Sequence, residues 1–411
     1  MIDCLQGVSA FVTMPAAHGF RNEAAYKPPL THVRCRMTAL PSRVFDAVSR
    51  RFSSLVEPMP GALFSLRSWL DNRTGIAFVS DGAGWVLDNV GSYIAEHVAD
   101  QLRFQVLTSY KGLRDSIVHF AAPPIYLKNG ICHDVHPSNT QLLTWTHGLP
   151  DNPDPGIQNQ LSYFAESEPY LARIHIQTTT ARDFLISQGV SPEKLVLISL
   201  GIDTRVFHPP TDAQRHAARQ RLGVPDDAFC IGSFQKDSPG WDNSRTSMKW
   251  VKGPDVLVDV LERLAQSHPI FVLLTTPARG YVISRLEQVG IPYYHEDVPY
   301  VGALPPYYHA LDAYLIPARD EGGPQALLEA MASGIPVVST RMGIPKDVIV
   351  HGENGWLADI EDVAGLVEGV EGLMSDSGRA SRIAHKARQM IEEYDWSIIA
   401  DAYTRLFYQV G

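Results

Sequence analysis

Cysteine is scarce in this chain. Cys4, Cys35, Cys132 and Cys230 are scattered over 411 residues with no Cys-x-x-Cys pair. That excludes a disulfide scaffold and predicts the reduced, structural thiols of a cytoplasmic protein. No apolar run approaches the roughly 20 residues that span a bilayer. The N-terminus carries Asp3 and no basic stretch ahead of an apolar core, so no secretory signal is expected. The 15 His residues include no His-Glu-x-x-His or comparable spacing, and no structural zinc is expected. Positive charge is in deficit too: the formal net charge of −10 argues against a nucleic-acid-binding surface. A bound nucleotide would need a few specific local cations.

What remains is the composition of an ordinary soluble globular protein, 45% hydrophobic and 19% charged, long enough for two domains with ample cores. The charge is uneven, because residues 1–75 hold nine Lys or Arg against five Asp or Glu. Residues 1–74 read as an extension. They show no steady period up to Leu40. Over 42–56, Val44, Phe45, Val48, Phe52 and Leu55 then share a helical face, with Arg43, Arg50 and Arg51 on or beside the other. Such a helix suits packing on the neighbouring domain, a homodimer contact, or peripheral rest on anionic lipid at the inner face of a membrane.

At Gly75 the register changes. Residues 76–80 read as a buried strand, and 104–107, 116–120, 142–146 and 174–177 as further strands, with helical patterns between some of them, notably 180–189. Strands separated by helices predict a parallel, doubly wound sheet. A linker near 207–211 closes this domain. The pattern then repeats, with strands expected over 229–232, 270–275, 293–294, 313–316 and 337–340, and two terminal helices broken around 394–396. The organisation expected is an extension over 1–74, domains over 75–208 and 209–390, and a closing helix over 391–411.

The most informative stretch runs from Glu321 to Thr340. Two carboxylates, Glu321 and Glu329, lie eight residues apart around a loop-to-helix junction. Gly322 and Gly323 leave the backbone uncovered, and Pro324 suits a first helical turn, where its missing N–H is not needed. The helix continues through Leu327, Leu328 and Met331, stops at Gly334, and gives way to Val337 and Val338. Free N–H groups and the positive end of a helix dipole attract anions and hydroxyl-rich ligands. Glu321 reaches forward to such a ligand, and Glu329 can accept from a vicinal diol such as a ribose.

This junction resembles the E-x7-E signature of retaining glycosyltransferases of the GT-B architecture, family 4. Residues 341–349 and 351–357 resemble the sequence that follows the signature. Residues 195–209 resemble the family's interdomain strand and linker, and 229–234 with 251–257 resemble the first strand and helix of its second domain. The resemblance covers most of the chain from about Gly75 onward and implies two Rossmann-like domains facing a cleft, with the last helix crossing back onto the first domain. It implies transfer of a hexose-type sugar from a nucleotide-diphosphate donor to a sugar, lipid-linked or small-molecule acceptor, with no metal or other cofactor.

It also implies residue roles. Lys252 matches the diphosphate lysine, Glu329 the ribose carboxylate, Glu321 the carboxylate near the transferred sugar, and His147 a histidine near the reacting centre. Backbone groups at Gly322 and Gly323 would face the donor. Asp81, Gly82 and Gly84 would approach donor or acceptor from the first domain, and the base would lie against the stretch that begins at Val298. One departure stands out. The family's arginine after the second domain's first strand is replaced by Ser233, so Lys236 is the expected substitute, ahead of Arg245 or Lys249. Other readings are a non-catalytic or regulatory GT-B protein, or another GT-B enzyme such as a sugar-nucleotide epimerase, although epimerases lack the E-x7-E run. A nicotinamide-binding fingerprint fails, because Gly82 and Gly84 are not followed by its remaining glycine and acidic residue.

Overall fold

Each strand that the sequence pattern predicts is present in the computed structural model, and each pairs in parallel with its neighbours. The structure describes residues 75–83, 86–127, 134–146, 155–238, 246–298 and 301–411, without the side chains of 155–160. The extension over 1–74 and its expected helix lie outside these residues. No described helix is long and apolar enough to cross a membrane.

The first domain runs β1 (Gly75–Val79), α1 (Val86–Val98), β2 (Arg103–Leu107), β3 (Ile117–Phe120), α2 (Pro123–Tyr126), β4 (Thr140–Trp145), α3 (Pro155–Ser167), β5 (Leu171–Ile176), α4 (Thr179–Ser187) and β6 (Leu195–Leu197). Its sheet order is β2-β1-β3-β4-β5-β6. Ile76, Ile117, Leu142 and Ile174 are fully or almost fully buried, as parallel strands covered on both faces require.

The second domain begins with α5 (Asp212–Arg221), capped by Thr211 and Gln214 in a reciprocal box. It continues β7 (Phe229–Ser233), α6 (Pro254–Ala265), β8 (Ile270–Thr275), α7 (Gly280–Val289), β9 (Tyr293–Glu296), α8 (Pro305–His309), β10 (Ala313–Ile316), α9 (Gln325–Ala332), β11 (Val337–Thr340), α10 (Gly343–Val348), β12 (Trp356–Ala358), α11 (Val363–Ser375), α12 (Ser377–Ile391) and α13 (Trp396–Val410). The sheet order is β12-β11-β10-β7-β8-β9. β12, three residues long, is too short to show a period and was not expected.

Both sheets reverse their winding inside the sheet, at β1/β3 and at β7/β10. A crevice opens outside the carboxyl ends of strands at such a point, and ligands of open α/β sheets bind there. Helix α13 packs against α1. The Trp396 ring stacks on Tyr93 with centroids 5.2 Å apart and planes 14° from parallel, and Phe407 meets Phe104 at 5.8 Å. Gly201 leaves room for that indole, since a β-carbon there would lie 2.4 Å from it. The backbones join as well, with Trp396 N–H donating to the Ile202 carbonyl at 3.0 Å.

A polar relay ties β3, β4 and β5 together inside the first domain. Thr144 Oγ1 lies 2.8 Å from His119 Nε2 and 2.9 Å from His175 Nδ1, and His175 Nε2 lies 2.8 Å from the Ile198 carbonyl. One tautomer set satisfies all three bonds: both histidines protonated at Nε2, with the Thr144 hydroxyl donating to His175. Burial holds both imidazoles neutral, His175 down to about 4 and His119 well below its ordinary value.

Candidate functional site

Helix α9 starts at Gln325, and Pro324 is its extended N-cap (φ −69°, ψ 105°), one position before the helical turn expected for it. The loop ahead of it meets the first domain. A β-carbon on Gly322 would fall 1.3 Å from the Thr146 carbonyl oxygen at the end of β4, and one on Gly323 would fall 2.7 Å from Ile344 and 2.8 Å from Leu200. The missing side chain at Gly322 therefore makes room for the other domain's backbone, not for a ligand alone.

Glu321 is buried, 5% exposed, and is ion-paired to Lys252. Lys252 ends a short 3-10 turn, Trp250–Lys252, ahead of Gly253 and Pro254. Gly253 adopts φ +63°, and a β-carbon there would meet the Pro317 carbonyl at 2.1 Å. Glycine at 253 is thus required by the tight approach of this turn to the loop after β10. Burial pushes the Lys252 ammonium down to about 7, helped by the charges of Lys249 and Lys236 and opposed by Asp320. Burial and Lys249 push Lys236 down to about 8. Three lysines therefore share one neighbourhood, an arrangement that a polyanion would relieve.

Glu329 is buried in α9, and the Tyr308 hydroxyl donates to its Oε2 at 2.7 Å. Burial pushes its carboxyl up to about 7, and the Tyr308 bond opposes that rise. Lys236, Lys252, Glu321, Gln325 and Glu329 all line one cavity of about 260 Å³ whose far wall is α1. A second chamber of about 280 Å³ is lined by Asp81, Thr144, Thr146 and Gln177 of the first domain and by Lys252 and Glu321 to Gly323 of the second. Lys252 and Glu321 line both cavities.

Other expected residues fall less centrally. Ser233 is buried at the end of β7 and supplies no charge. Val298 is half-buried against the core, while Val301 and Leu304, a few residues on, line the first cavity with Thr275 and Thr276. Asp81 and Gly82 are exposed. Gly82 has φ +68°, and a β-carbon there would lie 2.6 Å from Thr108. His147, Gly84 and Arg245 lie outside the described residues. Among those described, no cluster of three His, Cys, Asp or Glu side chains could hold a metal ion.

Arg279 and Tyr308 are two residues of this neighbourhood that the sequence does not single out. Arg279, fully buried, pairs through Nε with Asp237 at 3.0 Å, and its Nη1 donates to the carbonyls of Ser233, at 2.7 Å, and Gln235. It braces the loop that carries Lys236 from beneath. Asp237 in turn accepts from the Val282 amide at 3.0 Å, joining that loop to the start of α7.

Comparison with known proteins follows the same division. Residues 246–390, about a third of the chain, match the family described as glycosyl transferases group 1. The D-inositol 3-phosphate glycosyltransferase of Xylanimonas cellulosilytica is 28% identical over 238 residues, 56% of this chain and 54% of that protein. The lipopolysaccharide core biosynthesis mannosyltransferase LpsB of Rhizobium meliloti is 28% identical over 221 residues, 50% of this chain and 59% of that protein. The chain spans about half the length of the curated relatives it matches. Among solved structures, Anabaena Alr3699/HepE in complex with UDP-glucose superposes with a TM-score of 0.64 at 17% identity, over 81% of this chain and 99% of that one. Sucrose-phosphate synthase from Thermosynechococcus elongatus gives 0.60 at 15% identity, over 79% and 78%. The fold is therefore GT-B, and its second domain carries the group 1 glycosyl transferase sequence from residue 246 to residue 390.

Proposed function

We propose that this protein is a retaining glycosyltransferase that moves a hexose-type sugar from a nucleotide-diphosphate donor to a hydroxyl acceptor without a metal or other cofactor. The observation that carries the reading is the meeting of Lys236, Lys252, Glu321 and Glu329 on one interdomain cavity. The group 1 match over the second domain supports it. So do the UDP-glucose of the HepE complex and the sugar-transferring relatives.

The chemistry follows from charge. As the bond between the anomeric carbon and the diphosphate oxygen breaks, negative charge gathers on the leaving group. Lys252 and Lys236 neutralise it, and the first amides of α9 add the positive end of a helix dipole. Glu329 accepts from the ribose hydroxyls, and Glu321 lies beside the sugar. The acceptor hydroxyl, held in the chamber lined by Asp81, Thr144, Thr146 and Gln177, bonds to the anomeric carbon on the face the diphosphate leaves. Its proton passes to the departing phosphate oxygen, so no base is required behind the sugar. Closure of the two domains excludes water from a hydrolysis-prone donor. The acceptor is a sugar, a lipid-linked glycan or a small polyol, met on the cytoplasmic side, with the extension over 1–74 available for membrane or dimer contact.

A thermal-shift screen of uridine, guanosine, adenosine and thymidine diphosphates with their sugars tests this reading. One nucleotide series should raise the melting temperature, and its sugar form should be consumed when acceptors are added. Absence of any shift across the four series would overturn it.

A further inference from the structure

We propose that Tyr308 is the positioning residue for Glu329: its hydroxyl fixes one carboxylate oxygen so that the other is presented to the donor's ribose. The inference rests on the ribose assignment just made and adds a residue to it. Glu329 lies more than one turn inside α9, 4% exposed, in a wall of the donor cavity. A long side chain there has rotamers to lose, and an ionised carboxylate in such a place needs a donor.

Tyr308 supplies that donor from α8, at 2.7 Å, and is itself locked. Its ring is fully buried, edge-on to Phe234 at 4.8 Å and to Phe207 at 5.8 Å. The Phe234 amide donates to the Tyr314 hydroxyl at 2.8 Å, so the same aromatic cluster also anchors the loop leading to Lys236. A phenol that cannot swing holds the carboxylate in one orientation before any ligand arrives, which spares the donor that ordering cost.

The groups that face Glu329 are few. Tyr308 comes from α8, Tyr314 from β10 and Tyr93 from α1, the last two feeling its charge without a bond to it. Lys236, Lys252, Glu321 and Asp203 stand on the same cavity. Burial drives Glu329 toward its protonated form, and the Tyr308 bond works against burial. Removing that one hydroxyl should therefore raise the pH needed to keep the carboxylate ionised.

The test compares full-length wild type, Tyr308→Phe and Glu329→Gln by calorimetric titration from pH 6 to pH 9. The probe is whichever of the four nucleoside diphosphates binds wild type most tightly. Tyr308→Phe should weaken binding about fivefold at pH 7, and the gap should close towards pH 9, as expected for a carboxyl raised by about one pH unit. Glu329→Gln should be weak at every pH. A role in packing alone would give a loss independent of pH, and that result overturns the proposal. If Glu329→Gln binds like wild type, the ribose assignment itself fails, and the Tyr308 role fails with it. Should Tyr308→Phe not fold, 3-fluorotyrosine at position 308 keeps the packing and strengthens the donor. The acid limb of binding should then move to lower pH, and an unmoved limb overturns the proposal.

Discussion

Lys252 and Glu321 are ion-paired across the mouth of α9, so the cation proposed to hold the diphosphate and the carboxylate proposed to lie beside the sugar hold each other. A diphosphate must compete with Glu321 for that ammonium. Glu321→Gln should accordingly tighten binding of the free nucleoside diphosphate several-fold while sugar transfer falls by about 10² or more. Calorimetry with the variant checks the first half and steady-state transfer the second. Weaker diphosphate binding in Glu321→Gln would show that the pair is not a competitor.

Lys252→Ala should lower turnover more than donor affinity. The charge it is proposed to meet is largest when the glycosidic bond is broken, and losing one such preorganised contact costs about 10²–10³ in kcat. Steady-state kinetics at saturating donor separate the two. A loss confined to KM would assign Lys252 to ground-state binding.

Lys236 is held at about 8 by burial and by Lys249. That lies below the ordinary lysine value, so it loses its proton as pH rises through about 8, and diphosphate affinity should decline over that range. Lys236→Ala should bind about tenfold more weakly at pH 7 and lose less than wild type between pH 7.5 and pH 9. A parallel pair of profiles would exclude Lys236 as a cation that meets the diphosphate.

That Lys236, Lys252, Glu321 and Glu329 come together on one cavity was legible in part from the sequence, for physical reasons. Glu321, the two glycines, Pro324 and Glu329 crowd one loop-to-helix junction within nine consecutive residues, and the buried strand Ile270–Thr275 writes its burial into an apolar run from Ile270 to Leu274. Arg279 and Tyr308 were not legible. Arg279 braces carbonyls 44 and 46 residues before it, and Tyr308 reaches a carboxylate 21 residues beyond it. Neither spacing has a period. A tyrosine within Pro-Pro-Tyr-Tyr-His reads as core packing, which its ring also performs. Gly322 was legible as bare backbone, but not that the bareness admits Thr146 from the other domain.

The buried carboxylate should also show in stability. Glu329 has a folded value of about 7, above the ordinary 4.5, so the folded state binds more protons between these values and stability falls as pH rises through that window. Glu329→Gln removes the effect and should be more stable than wild type at pH 8, by roughly 3 kcal/mol at most, with the difference gone by pH 4.5. His175 works in the opposite direction. Its folded value of about 4 lies below 6.5, so its contribution is lost as pH falls from 6.5 towards 4, in wild type and variant alike. Thermal melts of both proteins across pH 4.5 to pH 8 check the difference, and equal curves would mean that Glu329 carries no burial penalty.

Gly322→Ala tests whether contact between the domains is part of catalysis. The added methyl would sit 1.3 Å from the Thr146 carbonyl oxygen, a backbone atom that cannot rotate away. The loop after β10 must then back off from the end of β4. Thr179 of α4 is also bound to the Asp347 carboxylate of the second domain through its amide, at 2.7 Å, and its hydroxyl, so separation at one contact strains the other. Lys236, Lys252 and Glu329 all belong to the second domain, so the proposed nucleotide contacts require none from the first. Nucleotide affinity in Gly322→Ala should therefore stay within about threefold of wild type, while transfer falls by about 10², the scale of a 1 Å misplacement at a reacting centre. Small-angle scattering with nucleotide bound should give a larger radius of gyration for the variant. Wild-type turnover with wild-type dimensions would show that the Gly322–Thr146 approach is dispensable for the reaction.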